Sequence, residues 1–229
     1  MAKPEWASVS PGTSGSGSPT GYTTSWTATA RTGRSGRSGT ASYKSGSLTR
    51  TLTINQLGAT LFIEMTNPAG TATSGGGTST YNIPSTSGTI TLTGKSNAKK
   101  LTFSLANSQD TAGMLDITLP NTYTAGGVTT NNGVAITGDP GNEQEFAFSI
   151  SFSVTANSTV GNLGRVVHIE GEGDNNETYT WDITIIQAAG EAYLWLGKVG
   201  DTTVSITIPA AGTPAQDVLV FSNTSWTIE

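Results

Sequence analysis

The chain has no cysteine among its 229 residues, and His168 is its single histidine. The first absence excludes a disulfide framework and any thiolate metal centre. The second leaves one imidazole, too few for a zinc site built on histidines. Charged residues make up only 12% of the chain, and no run of 18 apolar residues occurs, so no segment reads as a membrane-spanning helix. The opening MAKPEWASVSPGTSG carries neither an apolar export core nor a lipobox cysteine. The expectation is a protein made and assembled in a bacterial cytoplasm.

Glycine is plentiful, at 29 residues, and threonine and serine recur throughout. Strong helix formers are scarce and β-branched residues common, which sets an all-β expectation. The length suits one large domain or two ordinary ones. Net charge is −5, unevenly spread. Lys3, Arg31, Arg34, Arg37, Lys44 and Arg50 face the single acid Glu5 in the first fifty residues. The basic start and the acidic remainder should attract, within one chain or between chains.

Apolar alternation of period two marks the strands. Phe146, Phe148, Ile150, Phe152 and Val154 interleave with alanine and serine, the signature of a strand with one buried face. Similar runs predict strands at 22–30, 48–54, 89–94, 101–105, 165–170, 179–187, 193–196 and 204–208, separated by Gly, Pro, Asn and Asp clusters.

An internal repeat organises them. TLTINQLGATLFIEM (51–65) aligns with DITIIQAAGEAYLWL (182–196), placing Gln56 on Gln187. YNIPSTSGTITLTGKSN (81–97) follows ITIPAAGTPAQDVLVFSN (206–223), placing Pro84 on Pro209 and Asn97 on Asn223. Upstream, SWTATARTGRSGR (25–37) matches FSVTANSTVGNLGR (152–165). On this reading residues 58–190 hold one complete sandwich, and a second is divided between 1–57 and 191–229.

FSNTSW near the end, EWASVSPGTSGSGS at the start and the terminal TINQLG and TIIQAAG resemble successive parts of a BACON domain, an immunoglobulin-like sandwich of Bacteroidetes proteins and their phages. The central copy departs from that pattern, since GKSNAKKLTF lacks the tryptophan after the asparagine. The resemblance implies two immunoglobulin-like, BACON-like β-sandwiches, one assembled from the N- and C-terminal segments. It also implies a setting: an auxiliary or decoration protein on the capsid of a crAss-like phage, with the major capsid protein as partner. The competing expectation is a carbohydrate-binding module for mucus or glycan adhesion, and a head or tail fibre is a third.

A sandwich lacking its first strands exposes an apolar face and unpaired edges. Val218, Val220, Phe221 and Trp226 are the residues expected to complete it, in the same chain or in a neighbour by strand addition. The contact between neighbours would be head-to-tail.

The chemical candidates are few. A Ser-His-Asp triad has only His168 to use, and no G-x-S-x-G elbow is present; a packing role is expected. Glu170, Glu172, Asp174 and Glu177 cluster in EGEGDNNE, but their spacing does not fit an EF-hand and suits a solvated hairpin tip. Arg31, Arg34 and Arg37 repeat every third residue, an edge suited to docking on an acidic protein surface. No aromatic platform interleaves with them, so nucleic acid is not expected as a partner. Trp6, Trp26, Trp181, Trp195 and Trp226 offer faces for a sugar, with core packing the preferred role. No catalytic residue, cofactor or metal is expected.

Overall fold

The structure, a computed structural model, describes residues 3–12, 14–15, 17–18, 21–107, 113–208 and 216–229. The described residues contain no α-helix; two single 3-10 turns, Pro140–Asn142 and Asp174–Asn176, interrupt the strands. The all-β expectation is met.

The first quarter of the chain forms β1 (Ala7–Ser10), β2 (Ser25–Ala28), β3 (Arg37–Ser45) and β4 (Leu48–Gln56). Among the described residues they pair as two antiparallel ladders, β1 with β2 and β3 with β4. The middle contains β5 (Ile63–Asn67), β6 (Gly70–Thr73), β7 (Gly76–Ile83), β8 (Gly88–Ser96), β9 (Lys100–Asn107), β10 (Gly113–Met114), β11 (Thr122–Ala125), β12 (Val128–Asn131), β13 (Phe146–Val154), β14 (Leu163–Glu172) and β15 (Thr178–Gln187). A last antiparallel pair, β16 (Leu194–Leu196) and β17 (Val220–Ser222), closes the chain.

The middle strands make a two-sheet sandwich. One sheet runs β12-β11-β13-β8-β5; the other runs β10-β14-β15-β7-β6, with β9 also against β14. The alternation in β13 works as expected: Phe146, Phe148, Ile150, Phe152 and Val154 are buried. They meet Val167, Ile169, Trp181, Ile183 and Ile185 from the facing sheet in one apolar core. Each such side chain contributes roughly 1.5–3 kcal/mol on leaving water. Trp181 is 1% exposed and its indole N–H donates to Ser79 Oγ at 2.8 Å, so its one polar group is satisfied in the core. The space for that indole comes from glycine: a Cβ on Gly77 would lie 2.3 Å from the ring.

One expected strand is absent. Residues 204–208 form no ladder among the described residues, and Val204, Ile206 and Ile208 are 43, 48 and 59% exposed. Their alternation is that of a strand, but a strand needs a neighbour to accept its hydrogen bonds. No ladder among the described residues joins 3–57 to 191–229. Pro209, which the repeat sets on Pro84, lies outside the described residues.

Candidate assembly site

The two ends of the central sandwich carry the same joint. At one end Asn97, fully buried, accepts from Phe62 N at 3.0 Å and donates to the carbonyls of Thr60 (2.9 Å) and Thr32 (3.1 Å). At the other, Asn223 accepts from Tyr193 N at 3.0 Å and donates to the carbonyls of Glu191 and Ser158, both at 2.9 Å. An amide side chain suits this task because it accepts and donates at once. Each asparagine ties the first strand of one unit to the preceding unit's turn.

The surrounding bonds repeat as well. Ser96 Oγ donates to Phe62 O as Ser222 Oγ does to Tyr193 O, and each hydroxyl accepts from the amide two residues on. Gln56 Nε2 donates to Thr29 O and Gln187 Nε2 to Thr155 O, both at 2.8 Å. Ala59 N donates to Gly33 O as Gly190 N does to Thr159 O. Strand registers agree too: Arg37 opposes Gln56 as Leu163 opposes Gln187, and Leu194 opposes Ser222 as Ile63 opposes Ser96. The repeat read from the sequence recurs in the geometry at Gln56 and Gln187 and at Asn97 and Asn223, but its upstream part is corrected by two residues: the ladders set Arg37 on Leu163 rather than on Arg165. β3–β4 correspond to β14–β15, and β16–β17 to β5 and β8.

The N-terminal joint has an additional clamp. The Arg34 side chain is 3% exposed. Its guanidinium donates to both Asp139 oxygens at 2.9 and 2.7 Å, reaches Asp174 at 3.4 Å, and donates to the Asn97 carbonyl. Nη2 alone spans the Asp139 carboxylate while Nε and Nη1 engage Asp174 and the Asn97 carbonyl, so charge-assisted bonds hold the guanidinium from three sides. Backbone closes the contact: Arg34 N donates to Gly141 O and Ser35 N to Asn142 O. The approach is too close for side chains, since a Cβ on Gly58 would lie 1.7 Å from Arg34 O.

The three arginines thus do not form one free edge. Arg34 is consumed by acids of its own chain. Arg31 turns back on the Ser35 carbonyl and hydroxyl. Arg37 donates to Gln56 Oε1 and Thr29, with its guanidinium carbon 4.6 Å from the Trp6 ring centroid. The acidic surface these cations were expected to meet lies, for Arg34, on the central sandwich.

The other end of the N-terminal segment is open. β1–β2 and β3–β4 flank an open cleft of about 800 Å³ lined by Val9, Tyr22, Trp26, Ala41 and Tyr43 and rimmed by Lys3, Glu5 and Lys44. Trp26 Nε1 and Thr24 Oγ1 both bond the Tyr43 hydroxyl, at 3.1 and 2.8 Å. By the repeat, Tyr22, Trp26, Ala41 and Tyr43 stand where Phe148, Phe152, Val167 and Ile169 fill the central core.

The residues expected to complete a sandwich lie on the C-terminal segment. Val218, Val220 and Phe221 are half-buried around β17, and Trp226 is 48% exposed. Phe221 is out of phase with Val218 and Val220, so the four do not share one face. Trp195 stacks on Tyr193 with centroids 4.2 Å apart.

The remaining candidates are placed as follows. His168 lies on the outer face of β14, its Nδ1 2.6 Å from Asp182 Oδ1, and Ser104 is its register neighbour on the other side. No hydrogen bond joins Ser104 to the imidazole among the described residues. Of the acidic cluster, Glu172 pairs with Lys100 and Asp174 with Arg34. No group of three or more metal-ligating side chains occurs among the described residues.

No family model matches the chain, and no curated protein matches its sequence. Among solved structures, the chain is similar to the CFA/I adhesin CfaE of enterotoxigenic E. coli, with 10% identity and a TM-score of 0.39. The match covers 70% of this chain and 60% of that one.

Proposed function

We propose that the chain is a non-enzymatic structural protein whose work is to join β-sandwiches rigidly end to end. The observation that carries this reading is the recurrence of one joint, built on Asn97 and on Asn223, at both ends of the central unit. Side-chain amides bonded to backbone on both sides of a boundary fix the angle between units, which a flexible linker would leave free. Such a string suits a scaffold or spacer.

The finer reading is an auxiliary or decoration protein on a bacteriophage capsid, assembled in the bacterial cytoplasm and linking major capsid protein subunits on the virion surface. It rests on the likeness of FSNTSW and EWASVSPGTSGSGS to BACON sequence. Co-sedimentation of the purified chain with assembled capsid shells tests it; failure to pellet above a shell-free control contradicts it.

A second reading, glycan adhesion, is favoured by the aromatic lining of the cleft at Tyr22, Trp26 and Tyr43. Glycan-array binding that disappears in Trp26→Ala would support it against the capsid reading.

A further inference from the structure

We propose that the open N-terminal half-sandwich is completed by residues 201–208 and 216–222 of a second copy of this chain, in a register set by the intact central unit. The inference deepens the structural reading above by naming the partner and the atoms that pair.

The argument begins with what each half lacks. In the central unit β13 is paired on both sides, to β11 and to β8. Its counterpart β2 is paired only to β1, so one edge of β2 is free among the described residues. Likewise β15 is paired to β14 and, in parallel, to β7. Its counterpart β4 has only β3. The missing neighbours are therefore the counterparts of β8 and β7. Both lie in the C-terminal segment: β8 from Ile90 onward corresponds to 216–222, and the end of β7 to 204–208.

Among the described residues, each of those segments lacks at least one neighbour that its counterpart has. Val204, Ile206 and Ile208 alternate like Ser79, Tyr81 and Ile83 of β7 but pair with nothing among the described residues. β17 pairs only with β16. An unpaired edge on one segment and an unpaired strand of matching pattern on the other are the two halves of a strand-addition site.

The intact unit then dictates the register. Phe152 opposes Ile90, Ile150 opposes Leu92 and Phe148 opposes Gly94. Carried across the repeat, Trp26 opposes Gln216, Thr24 opposes Val218 and Tyr22 opposes Val220. On the other sheet Ile183, Ile185 and Gln187 oppose Ser79, Tyr81 and Ile83 in parallel. Leu52, Ile54 and Gln56 then oppose Val204, Ile206 and Ile208. Val218 and Val220 face the cleft, while Leu219 and Phe221 lie on the outer face. Trp226 and Ile228 continue the alternation where Leu101 and Phe103 sit in the central unit, after a gap of one residue.

Position selects a second copy over the same chain. The N-terminal half is fastened beside Asn97, at the Ser96 end of β8. The C-terminal hairpin is fastened at Ser158, and the adjoining Asn157 amide donates to Ser85 O near the Gly88 end. The two ends of β8 are roughly 27 Å apart for a nine-residue strand. Gln216 lies seven residues from the anchored Asn223, about 24 Å when fully extended, and its partner Trp26 lies beyond Thr32 on the far side of the gap. The segment cannot reach its own acceptor with Asn223 in place. Between copies there is no such limit, and the contact is head-to-tail.

The test uses cross-strand disulfides, for which a chain without cysteine gives a clean background. Thr91 Oγ1 and Ser151 Oγ are 2.9 Å apart across β8 and β13, and their counterparts are Asp217 and Ser25, both exposed. Full-length Ser25→Cys and Asp217→Cys are mixed and oxidised, with Lys44→Cys replacing Ser25→Cys as the out-of-register control. The expected result is a disulfide-linked dimer of one Ser25→Cys and one Asp217→Cys chain as the main product, at least tenfold above the control. Absence of that dimer overturns the proposal, as does equal linkage of the control. An intrachain disulfide in the double variant at high dilution overturns it in favour of closure within one chain. A glycan ligand that fills the cleft without altering the mass of the protein would also overturn it. Because no capsid is present, the result is independent of the co-sedimentation test.

Discussion

The central sandwich and the N-terminal half-sandwich share a strand plan and differ in what covers it. Ile169 is fully buried whereas its counterpart Tyr43 is 43% exposed; Phe152 is 5% exposed, while its counterpart Trp26 is only half-buried. Ile183 and Ile185 are fully buried, while Leu52 and Ile54 are half-buried. Equivalent apolar positions thus see different surroundings because one copy has both sheets complete. Burial here follows strand count more than residue type, since apolar surface is removed from water only where a second sheet lies against it.

That contrast predicts unequal costs for equal substitutions. The largest effect is expected for Phe152→Ala, which leaves a cavity in a closed core and should cost about 3–5 kcal/mol. Trp26→Ala should cost under about 1 kcal/mol at concentrations where the chain is monomeric, and more as concentration rises. Chemical denaturation at two protein concentrations reads both. Equal costs at low concentration would break the comparison.

Next come the joints. Asn97→Ala strips the Phe62 amide and the Thr60 and Thr32 carbonyls of their partner in a buried site, and unsatisfied groups there cost roughly 1–3 kcal/mol each. The matching Asn223→Ala acts at a half-exposed site where water can substitute, so it should cost about 1 kcal/mol. A difference in the opposite sense would mean that the C-terminal joint is the stronger one.

Arg34→Ala should act locally. Its partner Asp139 is 33% exposed on the side chain, so water offsets part of the loss and about 1–3 kcal/mol is expected. Hydrogen exchange at the Arg34 and Ser35 amides should accelerate while that of β13 stays unchanged. Acceleration throughout the sandwich would show that the clamp supports the core as well as the joint.

The smallest effect is at alkaline pH. Burial raises the Tyr123 phenol above its usual value of about 10, with the Leu101 amide donating to its oxygen and pulling the other way. Burial also raises Tyr179. A raised acid favours the folded state while the phenol stays protonated, so this contribution is complete below pH 10 and is lost as pH climbs through the folded value. Stability should decline there, and Tyr123→Phe should reduce the decline.

Much of this was legible in the sequence for a physical reason. Alternation at 146–154 and 179–187 reports directly which face is buried, and those strands are present. The repeat was visible because Gln56 and Gln187, and Asn97 and Asn223, are side chains with fixed tasks. The other half of each task was hidden, because the carbonyls of Thr32 and Ser158 belong to the backbone and any residue supplies one. The short strands β6, β10 and β12 have too few apolar residues to signal. The sequence places Arg34 on a surface edge because its partners Asp139 and Asp174 stand far along the chain, and only the fold brings them together. The alternation at 204–208 predicts a strand that is not among the described ladders, because a pattern does not supply the neighbouring strand.

The most direct test of the account is the solution mass of the chain by light scattering over a concentration series, beside a Val218→Asp, Val220→Asp variant. Head-to-tail completion predicts masses at multiples of 23.5 kDa that grow with concentration, and a variant that stays at one chain. A strict monomer at every concentration, with wild type and variant alike, would contradict it.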